Sequence, residues 1–227
     1  MKIGIFDSGI GGTTVMAKIK ELLPKEEYIY FADSKNCPYG TKSLEELKEI
    51  VSGNVEYLLA RGAELIVVAC NTATTQTIDF LRKKYPKIPF VGTEPAVKKA
   101  CDESSERARI VLLATEGTAN SPRTKELVET NKRPEQTVEI VPCEGLAKAI
   151  EDKNELEIDQ ILSEVCSALK KPDLQGSDEI ETVVLGCTHY PLIQDKIQEK
   201  FPRAKLLDGG EGVAKEVKRL VSQAYNK

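Results

Sequence analysis

The chain has 227 residues, enough for one large domain or two small ones with proper apolar cores. Its 32 basic residues stand against 36 acidic ones, and the net charge of −4 leaves no basic footprint for a nucleic-acid surface. No apolar run approaches the ~20 residues of a membrane span, and six scattered cysteines without a dense framework fit reduced thiols, so a cytoplasmic protein is expected.

Taken in chain order, β-branched runs mark strands at 3–6, 28–32, 65–69, 90–92, 110–114, 138–141, 183–186 and 205–207. Amphipathic stretches between them mark helices at 13–23, 44–61, 74–85, 122–130, 156–169, 192–201 and 212–225. The strands are continuous apolar runs, which suits strands covered on both faces. Their alternation with helices predicts an α/β fold with parallel sheets. A boundary is expected where a strand ends in Gly92-Thr93-Glu94-Pro95, and the last helix suits a return to the first half. The expected domains are 1–93 with 208–227, and 94–207. Residues 170–179, rich in charge and turn formers, are expected to form a surface loop.

The halves echo one another. In the first, one strand runs into Asp7-Ser8-Gly9 and a later one into Cys70-Asn71-Thr72. In the second, one runs into Thr115-Glu116-Gly117-Thr118 and a later one into Cys187-Thr188-His189. Ligands of open parallel sheets bind beyond the carboxyl ends of the strands. Two pseudo-symmetric α/β domains with these loops facing one cleft are therefore expected.

Most free cysteines are small buried apolar residues, and Cys101, Cys143 and Cys166 are read that way or as inert surface thiols, while Cys37 lies in a loop. Cys70 and Cys187 differ because each follows a strand directly. Backbone N–H groups at a strand-to-helix turn favour an anion such as a thiolate. His189, the single histidine, shares the Cys187 loop and is read either as a satisfied structural residue or as one placed to hold or relay a proton. A metal site is not expected: there is no Cys-x-x-Cys pair, and two cysteines with one histidine leave a tetrahedral ion short of a ligand. Asp7-Ser8-Gly9-Ile10-Gly11-Gly12 has the wrong glycine spacing for a dinucleotide fingerprint and no lysine for a phosphate loop. It is either a tight turn or a turn that adds Asp7 as a carboxylate able to hold an ammonium or tune a thiol.

Together, Phe6-Asp7-Ser8-Gly9-Ile10-Gly11-Gly12, Ala32-Asp33-Ser34, Pro38-Tyr39-Gly40, Ala69-Cys70-Asn71-Thr72-Ala73, Ala114-Thr115-Glu116-Gly117-Thr118 and Leu185-Gly186-Cys187-Thr188-His189-Tyr190-Pro191 resemble the motif set of the glutamate racemases, in the same order and across almost the whole chain. The resemblance implies a cofactor-independent isomerase that converts L-glutamate to D-glutamate for peptidoglycan, with glutamate as its small-molecule partner and neither nucleic acid nor membrane; a homodimer is compatible with it. It implies that Cys70 acts on D-glutamate and Cys187 on L-glutamate from opposite faces of Cα, aided by Asp7 and His189 respectively. It implies further that Ser8, Asn71, Thr72, Thr118 and Thr188 hold the α-amino and α-carboxylate groups, with Pro38, Tyr39 and Gly40 near the side-chain carboxylate.

The chain departs from that pattern in places. The usual Cys-Pro-aromatic stretch reads Cys143-Glu144-Gly145, although Glu151 follows at the expected distance and is read either as a residue supporting the second thiol or as a solvated helix-end carboxylate. Thr13 replaces a leucine after the paired glycines, and the second half is short. A racemase for aspartate or another amino acid, and a non-catalytic amino-acid-binding relative, are the alternatives.

Overall fold

The structure is a computed structural model, described for residues 1–169 and 179–226; the expected loop over 170–179 lies outside the described residues except for Glu179. The described residues fall into two compact units, one of residues 1–94 with 209–226 and one of residues 95–169 with 179–208.

The first unit holds β1 (Lys2–Asp7), α1 (Gly12–Leu22), β2 (Glu27–Ala32), α2 (Leu44–Leu59), β3 (Leu65–Val68), α3 (Asn71–Lys84), β4 (Phe90–Gly92) and a helix from the end of the chain, α10 (Gly210–Tyr225). Its strands make one parallel sheet in the order β2-β1-β3-β4. Parallel neighbours require crossover segments, and the helices supply them. Side-chain alternation along each strand divides the apolar residues between two cores. Ile3, Ile5, Leu65 and Val67 pack with Val15 and Ile19 of α1 and Val213, Val217 and Val221 of α10. Phe6, Ile66 and Val68 pack on the opposite side with Leu47, Val51, Val55 and Leu58 of α2 and Ile78 and Leu81 of α3. Both faces are dry, so β3 reads as Leu-Ile-Val-Val with every residue buried. Each such side chain contributes about 1.5–3 kcal/mol by leaving water. Helix α2 starts at a capping box, in which the Ser43 hydroxyl accepts the Glu46 N–H and the Glu46 carboxylate accepts the Ser43 N–H.

The second unit holds α4 (Val97–Glu103), β5 (Arg109–Ala114), α5 (Glu116–Ala119), α6 (Pro122–Asn131), β6 (Thr137–Pro142), α7 (Leu146–Glu151), α8 (Glu155–Leu169), β7 (Ile180–Gly186), α9 (Gln194–Lys200) and β8 (Lys205–Asp208). Its parallel sheet has the order β6-β5-β7-β8, the topology of the first unit repeated. The same alternation sends Val111, Leu113, Val183 and Leu185 toward α7 and α8, and Ile110, Leu112 and Val184 toward α4 and α6. At the sheet's base Arg109 is buried, its Nε donating to Glu139 at 2.7 Å and a terminal nitrogen to the Leu169 carbonyl at 2.8 Å.

Two differences from the expected elements bear on function. Helix α3 begins at Asn71, three residues ahead of the expected 74, so Cys70 is its N-cap residue. The helix expected over 192–201 begins at Gln194, because a 3-10 turn over Tyr190–Ile193, with Pro191 in its first turn, takes up the chain that follows Cys187. Among the described residues no helix is long and apolar enough to cross a membrane.

Candidate active-site groups at the strand ends

In the first unit the chemistry-bearing residues collect at the carboxyl ends of β1, β2 and β3. Asp7, the last residue of β1, is fully buried, and its carboxylate accepts the Gly9 N–H at 3.3 Å and the Gly12 N–H at 2.9 Å. One amide of the turn after β1 and the first amide of α1 thus hold the carboxylate. That close approach demands glycine at position 12, where a Cβ would stand 2.6 Å from Cβ of Asp7 and 2.9 Å from the Tyr30 hydroxyl. Cys70 is 5% exposed, and its thiol donates to the Ser8 hydroxyl oxygen at 3.8 Å. As the N-cap of the 14-residue α3 it lies at the positive end of a helix, where a thiolate is favoured. Asn71 and Thr72 follow in the first turn, both buried.

The loop after β2 carries Pro38, Tyr39 and Gly40. Tyr39 is 1% exposed and packs in the same core as Cys70. Its hydroxyl donates to the Asp33 carboxylate at 2.6 Å and accepts from the Asn54 side-chain amide at 2.7 Å. Burial, and next the Asp33 carboxylate beside it, pushes the phenol far above its ordinary range, so Tyr39 stays a neutral donor. Pro38 and Gly40 are half-buried on either side.

In the second unit Cys187 follows β7 directly. The Gly186 before it admits no side chain, since a Cβ would lie 2.6 Å from Leu112 Cδ1 and 2.8 Å from the Leu113 carbonyl oxygen. Cys187 Sγ lies 3.7 Å from His189 Nδ1, and His189 Nε2 lies 2.6 Å from Glu151 Oε1. An ionised carboxylate only accepts, so the ring's Nε2–H donates to Glu151. In the neutral tautomer this leaves the Nδ1 lone pair facing the thiol. His189 is 1% exposed and Glu151 13%, which shields the pair from screening. Glu151 closes α7, a helix entered through Gly145 at φ +73°, a backbone conformation suited to glycine. Thr188 and Thr118 are buried, and the Thr118 hydroxyl accepts from Thr115 at 3.1 Å.

The structure thus brings together Cys70 with Ser8, and Cys187 with His189 and Glu151. Cys70 is followed by helix α3, whereas Cys187 leads toward a 3-10 turn and meets an imidazole. Of the other thiols, Cys101 and Cys143 are buried and Cys166 is half-buried against the second unit's core. Burial pushes the Cys143 thiol up to about 12 and raises that of Cys101. The Asp33–Tyr39–Asn54 network was not anticipated as a unit, although a signal existed: Asn54 falls on the apolar stripe Leu47, Val51, Val55, Leu58.

The family model for Asp/Glu/hydantoin racemases matches residues 3–217. A glutamate racemase of Clostridium botulinum is 40% identical over 218 residues, 96% of this chain and 82% of the relative. An Escherichia coli glutamate racemase, solved with L-glutamate and an activator, superposes with a TM-score of 0.86 at 34% identity, covering 97% of this chain and 82% of that one. A Francisella tularensis glutamate racemase, solved with D-glutamate, gives 0.81 at 27% identity over 99% and 81%. With the matched residues running from β1 to α10 and the strand-end thiols inside them, the chain belongs to the Asp/Glu/hydantoin racemase family.

Proposed function

We propose that the protein interconverts L- and D-glutamate by proton transfer between two thiols, Cys70 and Cys187, without a cofactor. The observation that carries this reading is the repetition of one strand-end thiol in each of two sheets of identical topology. The names of relatives at 40% identity support glutamate as the substrate.

Inverting a stereocentre requires a base on one face of Cα and an acid on the other, with the roles exchanged for the reverse reaction. Two groups of one chemical kind meet that requirement, because a thiol serves as the acid and a thiolate as the base. In the L-to-D direction the Cys187 thiolate takes the α-proton and becomes a thiol, leaving the electron pair on the substrate as an enediolate. The Cys70 thiol then gives its proton to the opposite face of Cα and becomes the thiolate. Atoms and charge balance, and the reverse reaction begins where the forward one ends. Fixed donors must stabilise the developing charge; in this reading Ser8, Asn71, Thr72, Thr118 and Thr188 hold the amino and carboxylate groups. His189, backed by Glu151, accepts the Cys187 proton to form the thiolate. Asp7 serves Cys70, whose thiolate the start of α3 also favours. Pro38, Tyr39 and Gly40 receive the side-chain carboxylate. The product would supply D-glutamate for peptidoglycan in the cytoplasm.

Circular dichroism of purified protein with each enantiomer of glutamate, and of aspartate, tests the reading. Glutamate is expected to racemise from both sides, with solvent deuterium appearing at Cα of the product. Failure of both glutamate enantiomers to exchange the α-proton would overturn it.

A further inference from the structure

We infer that Asn54, in the middle of α2, is a positioning residue for the substrate's side-chain end, acting through the Tyr39 hydroxyl; this rests on the reading that residues 38–40 receive the side-chain carboxylate.

The argument begins with a misfit in the sequence. The buried face of α2 is otherwise apolar apart from Ser52, whose hydroxyl bonds within its own helix to the Lys48 carbonyl. Asn54 is 6% exposed and reaches away from α2 instead. Burying an amide on an apolar face is costly unless partners satisfy it. Its Nδ2 donates to the Tyr39 hydroxyl at 2.7 Å and approaches Asp33 Oδ2 at 3.5 Å. The directions of these bonds follow from chemistry. Tyr39 gives its one proton to Asp33 at 2.6 Å, so its oxygen can only accept from Asn54. Asp33 in turn accepts from the Asn36 amide at 2.9 Å and 3.0 Å. Its backbone N–H bonds to the Asp7 carbonyl at 2.9 Å, extending the β1–β2 ladder by one rung.

The loop has little regular structure of its own. Between the end of β2 and the cap of α2 it holds two three-residue 3-10 turns, Ser34–Asn36 and Tyr39–Thr41. The position of its central residues is therefore set by side chains. The Tyr39 ring is packed among apolar groups in the core it shares with Cys70, and its hydroxyl is pinned by Asp33 on the sheet and Asn54 on the helix. Fixing both ends of that ring fixes the peptide units of Pro38 and Gly40 beside it. The Asn54 side chain hydrogen-bonds to Tyr39 and Asp33, neither of which is assigned to proton transfer, so its loss should weaken binding of the side-chain carboxylate and leave turnover of bound substrate nearly intact.

The test uses the full chain and compares wild type, Asn54→Leu, Tyr39→Phe and the double variant, with KM and kcat for both glutamate enantiomers and thermal melting of each protein. Loss of the Asn54–Tyr39 hydrogen bond in Asn54→Leu is expected to raise KM about five- to tenfold for both enantiomers, with kcat within about twofold of wild type, and Tyr39→Phe, which loses the bonds to both Asn54 and Asp33, should raise KM at least as far. Because both substitutions act through one hydroxyl, the double variant should be about as impaired as the worse single one. If Asn54→Leu does not fold, Asn54→Ala replaces it in the cycle. Unchanged KM in folded variants, a loss confined to kcat, or strictly additive effects would each overturn the inference. A wild type that racemises glutamate while the variants leave KM unmoved sinks this inference alone; a wild type inert toward glutamate sinks the functional reading and this inference with it.

Discussion

Glu151 offers a sharp test because one substitution separates its charge from its hydrogen bond. Glu151→Gln keeps an oxygen able to accept from His189 Nε2 at the observed 2.6 Å and removes the negative charge. Hydrogen bonds to charged groups contribute about 1.5–3 kcal/mol, against about 1 kcal/mol between neutral groups. The charge itself is therefore worth about 0.5–2 kcal/mol, and with 1% and 13% of the two side chains exposed, little of it is screened. At 1.4 kcal/mol per factor of ten, kcat should fall about 2- to 30-fold in Glu151→Gln. Glu151→Ala, which removes bond and charge together, should lose about 10- to 150-fold. Initial rates by circular dichroism at saturating glutamate, with melting curves to confirm folding, supply the numbers. A folded Glu151→Ala protein that keeps more than half of the wild-type kcat with both enantiomers would refute the reasoning.

Cys70→Ser and Cys187→Ser should each abolish most racemisation, since a hydroxyl titrates too high to replace a thiolate; near-full turnover in either would show the two-base assignment to be wrong. Cys101→Ser should leave kcat and KM unchanged, because that thiol is fully buried in the second unit's core, and a large catalytic loss would place the site elsewhere. Cys101 and Cys143, both buried and the latter pushed up to about 12, should resist a thiol-alkylating reagent at pH 8 until the protein unfolds, as read by peptide mass spectrometry. Gly12→Ala drives a methyl group into Asp7 and Tyr30 and should cost about 1–3 kcal/mol, a fall in Tm of about 2–12 °C by calorimetry.

The fold was legible because its strands carry two apolar faces. Continuous runs such as Leu65–Val68 suit a sheet covered on both sides, and the helices between them follow from the parallel topology. The short elements were harder to read. Helix α7 has six residues and α5 four, too few turns for a periodic stripe to stand out. The start of α3 lies ahead of the apolar pattern because Asn71-Thr72-Ala73 carries no apolar periodicity; the helical bond of the Thr74 N–H to the Cys70 carbonyl, at 2.9 Å, sets it. The thiols were visible as cysteines directly after strands. That Glu151 meets His189 was not, since a contact across 38 residues depends on how α7 lies against the turn after β7. The Tyr39 network escaped for the same reason: its members come from a strand end, a loop and a helix, and Asn54 alone betrayed itself as a polar residue on an apolar stripe.

The two thiols are equipped unequally, one by a helix start and a hydroxyl, the other by an imidazole and its carboxylate. Mirror-image amino acids have the same free energy in water, so under the proposed reaction no such inequality can favour one product at equilibrium. At every pH the two directions must share one value of kcat/KM. Unequal equipment is free to appear only under saturation, as a difference in kcat matched by an equal difference in KM. The pH at which D- and L-glutamate are turned over fastest can therefore differ, and the gap between the two optima measures how differently the two ends of the proton path are built.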